Sequence, residues 1–287
     1  MSVIVEFSVE SIKNFLIKKI EENAVFLFNE LELQVFLVRE LEKELTSPKY
    51  RVYLEYQLPK GWNEKFDKEY ERWGTEKPCF DIVIEECENE NKKFVAIELK
   101  YKLKEVELNQ EGKLTRFGEK SKKSGIALVT NQSAENEGRY DFWKDVKRLE
   151  ILNESFLNVI GGIAIIVTNQ GSYKNNNPNN KSSKFNLVDN EEKSGFLYWD
   201  WTNKDKKKEE CKELNCRENC PKTPCGEKLR PLPKEIKKEE VRDWGSQWYH
   251  YKRPNFELKE SYTGNWYDIQ EKMGQEFYCF AVVVTKS

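Results

Sequence analysis

The chain has 287 residues, of which 38% are hydrophobic and 34% are charged, and its formal net charge is −2. This composition allows a hydrophobic core, and the near-neutral charge neither requires nor excludes a nucleic-acid partner, because phosphate binding depends on local basic patches. The apolar runs are too short to span a membrane, and the N-terminal residues lack a signal-peptide pattern. Seven cysteines favour reduced thiols over a disulfide framework. We therefore expect a cytoplasmic protein with no membrane contact.

The first predicted element is one long helix over residues 24–45. Leu33, Leu37 and Leu41 recur there at helical spacing, so one side of the helix is expected to be buried. Residues 50–58 then alternate between polar and apolar types, which predicts a strand, and a Pro-Lys-Gly break ends it.

Three strands and a second helix are predicted next. The strands cover residues 80–86, 93–101 and 163–168, and the amphipathic helix covers residues 140–154. The last strand is continuously apolar, which is typical of a strand buried on both faces. The order helix, strand, strand, strand, helix, strand predicts an α/β fold whose sheet carries helices on both faces.

A change of composition after residue 170 suggests a core and an extension. Residues 1–170 contain the elements above, whereas residues 171–287 form a C-terminal extension that we expect to pack on the core. The extension carries a Lys/Cys-rich insertion at about 202–240 and aromatic strands at 196–201 and 277–285.

The strands at 80–86 and 93–101 predict a hairpin that carries charged residues on one face. A turn centred between Asn89 and Glu90 places Asp81 directly across from Glu98. Alternation then puts Lys100 on the same face as both acids. The same register pairs Ile82 with Ile97, Val83 with Ala96 and Ile84 with Val95. The opposite face is then apolar and carries Ile82, Ile84, Val95, Ile97 and Leu99.

Paired carboxylates at this spacing predict a metal site. Side chains directly opposed on neighbouring strands have Cβ atoms about 4.5–5.5 Å apart, so Asp81 and Glu98 repel one another unless a cation lies between them. Oxygen ligands suit Mg²⁺ or Mn²⁺. Such a metal ion and the fixed positive charge of the Lys100 ammonium would together bind and polarise a scissile phosphate. The alternative is a surface hairpin whose exposed face carries salt bridges.

The same residues resemble a known signature. The segments CFDIVI, VAIELKY, YDFWKDVKRLE and GGIAIIVTN are similar to the PD-(D/E)XK nuclease superfamily, with its restriction-endonuclease-like fold, over roughly residues 24–169. The resemblance implies that Asp81, Glu98 and the Leu99 carbonyl hold the metal, and that Lys100 acts on the nucleophilic water or the phosphate. One departure is the proline, which stands at position 78 rather than immediately before Asp81.

An acid of the first helix is a further candidate catalytic residue. Glu30 lies on the stripe of Leu33, Leu37 and Leu41, and a buried acid needs a partner or a metal. Many relatives in the resembled superfamily supply an acid from this helix. Glu32 is the competitor, and an ordinary acid at the helix boundary is the other interpretation.

Four cysteines in the insertion, Cys211, Cys216, Cys220 and Cys225, match the number of thiolates in a structural Zn²⁺ site, although paired CxxC knuckles are absent. A loosely folded insertion with free thiols is the alternative.

Asp145 and Arg148, three residues apart, predict an ion pair on the surface of the second helix. Residues 100–123 are rich in Lys and Arg, which suits either phosphate contact or a solvated loop.

The sequence thus predicts a Mg²⁺-dependent nuclease that acts on DNA, and double-strand cleavage from one site per chain would suggest a homodimer. The rival is a nucleic-acid-binding or protein-interaction module of the same fold without cleavage. The chain lacks a G-x-x-x-x-G-K-[ST] loop, so ATP-driven translocation is unsupported, and its single histidine excludes a histidine-metal nuclease.

Overall fold

A seven-stranded mixed sheet forms the centre of the protein. The computed structural model describes residues 6–23, 29–58, 78–88, 90–104, 106–108, 114–115, 126–129, 135–175, 182–199, 253, 255–272 and 275–285. Its helices are α1 (Val9–Asn23), α2 (Glu30–Glu44) and α3 (Glu135–Ser155). Its strands are β1 (Tyr50–Gln57), β2 (Cys79–Glu88), β3 (Asn91–Lys102), β4 (Val106–Leu108), β5 (Leu114–Thr115), β6 (Ile126–Val129), β7 (Val159–Thr168), β8 (Glu192–Leu197), β9 (Phe256–Lys272) and β10 (Gln275–Thr285).

The strand order in the large sheet is β1-β2-β3-β7-β10-β9-β8, and β5-β4-β6 form a small second sheet. The strands β1, β2 and β3 are antiparallel neighbours, whereas β3 and β7 are parallel. Parallel neighbours need a crossover connection, and the chain between β3 and β7 includes α3. The prediction of an α/β protein is confirmed, and its sheet is mixed.

Helices cover both faces of the sheet. The helices α1 and α2 pack on the face that carries Ile82 and Ile97, and α3 packs on the face that carries Val83 and Ala96. Because both faces are covered, β7 is buried along nearly all of its length, as its continuous apolar run predicted. The alternative of a hairpin with an exposed charged face is wrong, since Glu98 is only 2% exposed.

Two glycines let the helices approach β7 closely. A Cβ atom on Gly162 would lie 2.7 Å from Leu149 Cδ2 of α3, and a Cβ atom on Gly161 would lie 2.5 Å from Val9 Cγ2 of α1. The close approach at Gly162 brings α3 down onto β7, next to β3. The residues of α3 that precede Leu149 therefore reach the charged side chains of β3.

The predicted helix over 24–45 starts too early. Asn29 is extended, with φ −156° and ψ 171°, and its side chain accepts a hydrogen bond from the Glu32 amide, which caps α2 and makes Glu30 its first residue. Residues 24–28 lie outside the described part of the chain. Leu33, Leu37 and Leu41 are fully buried, as their spacing predicted.

The sequence patterns missed several elements and misplaced another. The helix α1, the short strands β4, β5 and β6, and the long strand β9 were not predicted. The strand predicted over 196–201 begins at Glu192 instead, because Gly195, with φ +68°, introduces a bulge that lets β8 pair with β9 on both sides of it. The strands of the C-terminal extension continue the same sheet, since β10 pairs with β7.

Among the described residues, no helix is long and apolar enough to cross a lipid bilayer. Cys79, Cys87 and Cys279 carry free thiols.

Candidate active site

Asp81 lies where β2 separates from β3. The pairs Ile82–Ile97, Val83–Ala96 and Ile84–Val95 confirm the predicted register, and the regular pairing ends at Ile82 and Ile97. One residue further on, the Asp81 carboxylate takes the place of a backbone partner, since Oδ2 accepts a hydrogen bond of 2.6 Å from the Leu99 amide.

The second oxygen of this carboxylate faces α2. Gln34 Nε2 donates a hydrogen bond of 2.9 Å to Asp81 Oδ1. Strict alternation predicted Asp81 on the α3 side, directly across from Glu98. That prediction is wrong, since the paired residues end at Ile82 and Ile97 and Asp81 contacts α2. The alternation breaks here, since Phe80 packs with the α3 side of the sheet although Ile82 packs with the α1 and α2 side. The Asp81 side chain therefore lies on the α2 side of the site.

Glu98 is buried beneath α3 and pairs with an arginine of that helix. Arg148 Nη1 lies 3.0 Å from Glu98 Oε1 and 3.0 Å from Asp145 Oδ1. The other end of the guanidinium, Nη2, donates to the Cys79 carbonyl, and the group lies over the Phe80 ring with its Cζ 5.4 Å from the ring centre. The guanidinium is thus held on several sides.

Lys100 joins the two helices. Its Nζ lies 2.9 Å from Asp145 Oδ2 on α3 and 3.9 Å from Glu30 Oε1 on α2, and it donates a hydrogen bond of 2.9 Å to the Leu99 carbonyl. The second oxygen of Glu30 accepts a hydrogen bond of 2.9 Å from the Tyr101 amide. The carbonyl predicted to face a metal therefore faces the Lys100 ammonium in this structure.

We call these six charged residues the site cluster: Glu30, Asp81, Glu98, Lys100, Asp145 and Arg148. The site cluster contains four carboxylates and two cations. Burial raises the pKa of Asp81 to about 6, although Lys100 and the Leu99 amide oppose the rise. Burial also raises the pKa of Glu98 well above its ordinary range, against the pull of Arg148. With all four acids ionised the carboxylates would outnumber the cations by two, and burial makes the ionised forms of Asp81 and Glu98 costly.

The pKa of Lys100 moves in the opposite direction to that expected from burial alone. Desolvation lowers it, but the carboxylates of Asp145, Glu30 and Glu98 raise it by more, so the net shift is upward. Lys100 is therefore a permanent ammonium at neutral pH. Such a group can stabilise negative charge, whereas it cannot take a proton from water.

The donor chemistry of the cluster fits a hard divalent cation. Carboxylate and carbonyl oxygens are the ligands that Mg²⁺ and Mn²⁺ prefer, and the raised pKa values of Asp81 and Glu98 indicate an unmet need for positive charge. In the part of the chain that is described, no three acidic, histidine or cysteine side chains converge as ready-made ligands. The cations of the cluster, Lys100 and Arg148, instead lie among the acids.

Of the two candidate acids on α2, Glu30 and Glu32, it is Glu30 that belongs to the site cluster. Glu32 is exposed, whereas Glu30 is partly buried and reaches both Lys100 and the Tyr101 amide. The physical reason is helical spacing, because Glu30 lies one turn before the buried Gln34 that contacts Asp81.

Sequence reasoning missed three residues of the site. Asp145 and Arg148 form the predicted ion pair, but the prediction of a surface position was wrong, since Asp145 is 1% exposed and both residues contact the cluster. Gln34 was not singled out at all. The available signal was its place in the sequence, one residue after Leu33 on the buried side of the predicted helix.

Some candidates lie outside the described residues. They are the four cysteines Cys211, Cys216, Cys220 and Cys225, together with most of the side chains in the basic stretch 100–123. The zinc site and the basic patch therefore stay predictions.

Comparison with known proteins gives no relative to which the chain can be assigned. No protein-family model, no curated protein and no solved structure matches it.

Proposed function

We propose that this chain is a Mg²⁺-dependent nuclease with a restriction-endonuclease-like fold and that its substrate is DNA. The fold is supported by the order α2, β1, β2, β3, α3, β7, with the short strands β4, β5 and β6 between β3 and α3, over the residues that the resemblance covers. The function is supported chiefly by one observation: a buried cluster with excess carboxylates lies where β2 and β3 separate, and it contains the aspartate, glutamate and lysine of the resembled signature.

Each residue has a chemical task in this proposal. Asp81 and Glu98 would hold the cation with their carboxylates, and the Leu99 carbonyl, which accepts a hydrogen bond from Lys100 in this structure, would be a further oxygen ligand. When bound, Mg²⁺ lowers the pKa of a coordinated water and polarises the phosphate. Lys100 stays protonated and stabilises the negative charge that develops on the phosphate oxygens.

Glu30 has a supporting task. It lies 3.9 Å from the Lys100 ammonium and accepts a hydrogen bond from the Tyr101 amide, so it directs Lys100 and fixes α2 against β3. Because the pKa of Lys100 is raised, we assign this lysine to charge stabilisation rather than to proton abstraction from water.

The test is cleavage by the purified full-length chain. Supercoiled plasmid, linear duplex DNA, single-stranded DNA and RNA are incubated with Mg²⁺ or with EDTA. We expect cleavage of DNA with Mg²⁺, a loss of at least about a thousandfold in Asp81→Ala, since removal of one key electrostatic group costs on this order, and full activity in Glu42→Ala, whose exposed side chain lies on α2 away from the cluster. Activity that survives in Asp81→Ala, or the absence of any cleavage, would refute the proposal.

A nucleic-acid-binding module without cleavage is a second candidate, and a specific observation favours it. Lys100 and Arg148 already neutralise part of the cluster, as they would in a structural ion network. This candidate predicts DNA binding that is equal with Mg²⁺ and with EDTA and no strand cleavage by the wild-type chain. A band-shift titration run beside the cleavage assay separates the two candidates.

A further inference from the structure

Arg148 occupies the position between two buried carboxylates. The side chains of Glu98 and Asp145 are 1% and 2% exposed, whereas that of Arg148 is 15% exposed. A single nitrogen, Nη1, lies 3.0 Å from an oxygen of each acid. Two carboxylates so close together and so deeply buried repel each other unless a cation lies between them. In this structure the guanidinium is that cation.

Lys100 does not fill the same role. Its Nζ contacts the other oxygen of Asp145 and approaches Glu30, and the ion pair that the structure records for Glu98 is made by Arg148. A divalent cation held by Glu98 must therefore come close to the Arg148 guanidinium. Two positive charges cannot share one buried carboxylate oxygen without strong repulsion.

We propose that Arg148 is an internal counter-ion that competes with the divalent metal for Glu98, so that metal binding requires the guanidinium to leave this carboxylate. This inference rests on the proposed metal-dependent function and adds a regulatory contact to it. The Arg148 side chain reaches the protein surface, since it is 15% exposed, whereas those of the two acids are buried. It remains anchored on α3, and the Cys79 carbonyl is a partner that does not involve Glu98.

The first experiment measures the affinity for Mg²⁺ and Mn²⁺ alone, by titration calorimetry without nucleic acid. If Arg148 competes directly, Arg148→Gln should bind either metal at least about tenfold more tightly than the wild type, which corresponds to ~1.4 kcal/mol. Lys144→Gln is the matched control. Lys144 lies one turn earlier on α3, pairs with Asp141 at 3.5 Å and has the same charge, yet it makes no ion pair with Glu98.

The control distinguishes the effect of direct contact with Glu98 from the effect of removing any nearby positive charge. Through-space repulsion at a partly exposed site is screened, so Lys144→Gln should change the metal affinity by less than about threefold. Unchanged or weaker binding in Arg148→Gln would overturn the proposal, as would an equal gain in Lys144→Gln. The absence of metal binding in both the wild type and Arg148→Gln would overturn it together with the proposed metal site.

The second experiment uses the wild-type chain and so does not depend on the folding of a variant. Arginine side-chain Nε–Hε signals are followed by NMR during titration with Mg²⁺. The Arg148 signal should shift or broaden in step with metal binding, whereas that of Arg139 should not, since Arg139 is buried and donates to Asn186 and the Ser172 carbonyl, away from the cluster. Metal binding that leaves the Arg148 signal unchanged would overturn the competition alone. Competition without DNA cleavage would overturn the nuclease proposal alone.

Discussion

Replacing Asp81 with asparagine should stabilise the metal-free protein at neutral pH. The pKa of Asp81 rises from an ordinary 3.8 to about 6 because the group is buried. Each unit of pKa corresponds to about 1.4 kcal/mol, so the ionised carboxylate costs the folded state about 3 kcal/mol. The amide has no such cost. It can still accept from the Leu99 amide, and Gln34 can rotate its side-chain amide to present Oε1, an atom that has no partner in the described residues.

The pH dependence of this effect has a definite sign. A carboxyl group whose pKa is raised in the folded state binds protons more tightly when folded, so its cost is present above pH 6 and is relieved as the pH falls toward 3.8. The Asp81→Asn protein should therefore be up to about 3 kcal/mol more stable than the wild type at pH 7.5 with EDTA. The difference should disappear near pH 4.

The assay is urea unfolding followed by circular dichroism at several pH values, with EDTA present. Glu42→Gln on α2 is the control, since its side chain is exposed and we expect no change in stability. A lower stability of Asp81→Asn at pH 7.5, or a stability gain that does not change with pH, would refute the reasoning. Added Mg²⁺ should stabilise the wild type and leave Asp81→Asn unaffected.

Glu150→Ala should lower the free energy of unfolding by about 3–5 kcal/mol, because its buried carboxylate accepts hydrogen bonds from two backbone amides of β9 and from the Tyr262 hydroxyl. Urea unfolding measures this loss, and a change below about 1 kcal/mol would contradict it. Gly161→Ala should lower the free energy of unfolding by about 1–3 kcal/mol, since the new Cβ atom would lie 2.7 Å from the Val284 carbonyl oxygen. Thermal unfolding tests this, and an unchanged Tm would contradict it. Cleavage at subsaturating Mg²⁺ should weaken as the pH falls through about 6, because protonated Asp81 cannot hold a cation, and a flat rate profile between pH 7.5 and 5 would argue against that role.

The register of the hairpin could be predicted because it depends on local features. A polar turn and an alternating pattern leave one pairing in which Ile82 and Ile97 share an apolar face, and the structure has that pairing. The orientation of Asp81 could not be predicted in the same way. It depends on the end of the strand pairing and on contacts with Leu99 and Gln34, which lie 18 and 47 residues away in the sequence.

The burial of α3 was also beyond local patterns. Its hydrophobic stripe through Phe142, Val146 and Leu149 was visible, and it predicted one buried side. The flanks of this stripe are buried as well. On one flank, β9 supplies partners for Glu150 from residues more than 100 positions later. On the other, Asp145 and Arg148 contact Lys100 and Glu98 of β3, so the ion pair lies inside the protein.

The separation of β2 from β3 explains why charges from both faces of the sheet can meet. In a regular sheet, the side chains that contact α2 and those that contact α3 are kept apart by the backbone between them. Lys100 nevertheless contacts Glu30 on α2 and Asp145 on α3, just beyond the last regular pair. A network that served stability alone would balance its charges, because an unpaired buried carboxylate is costly. The burial of Asp81 and Glu98 carries a cost that the neighbouring cations do not fully offset, since the pKa of both carboxyl groups is raised, and buried groups with shifted pKa values concentrate at functional sites. This uncompensated cost therefore favours a site that receives a cation over one that only holds the fold together.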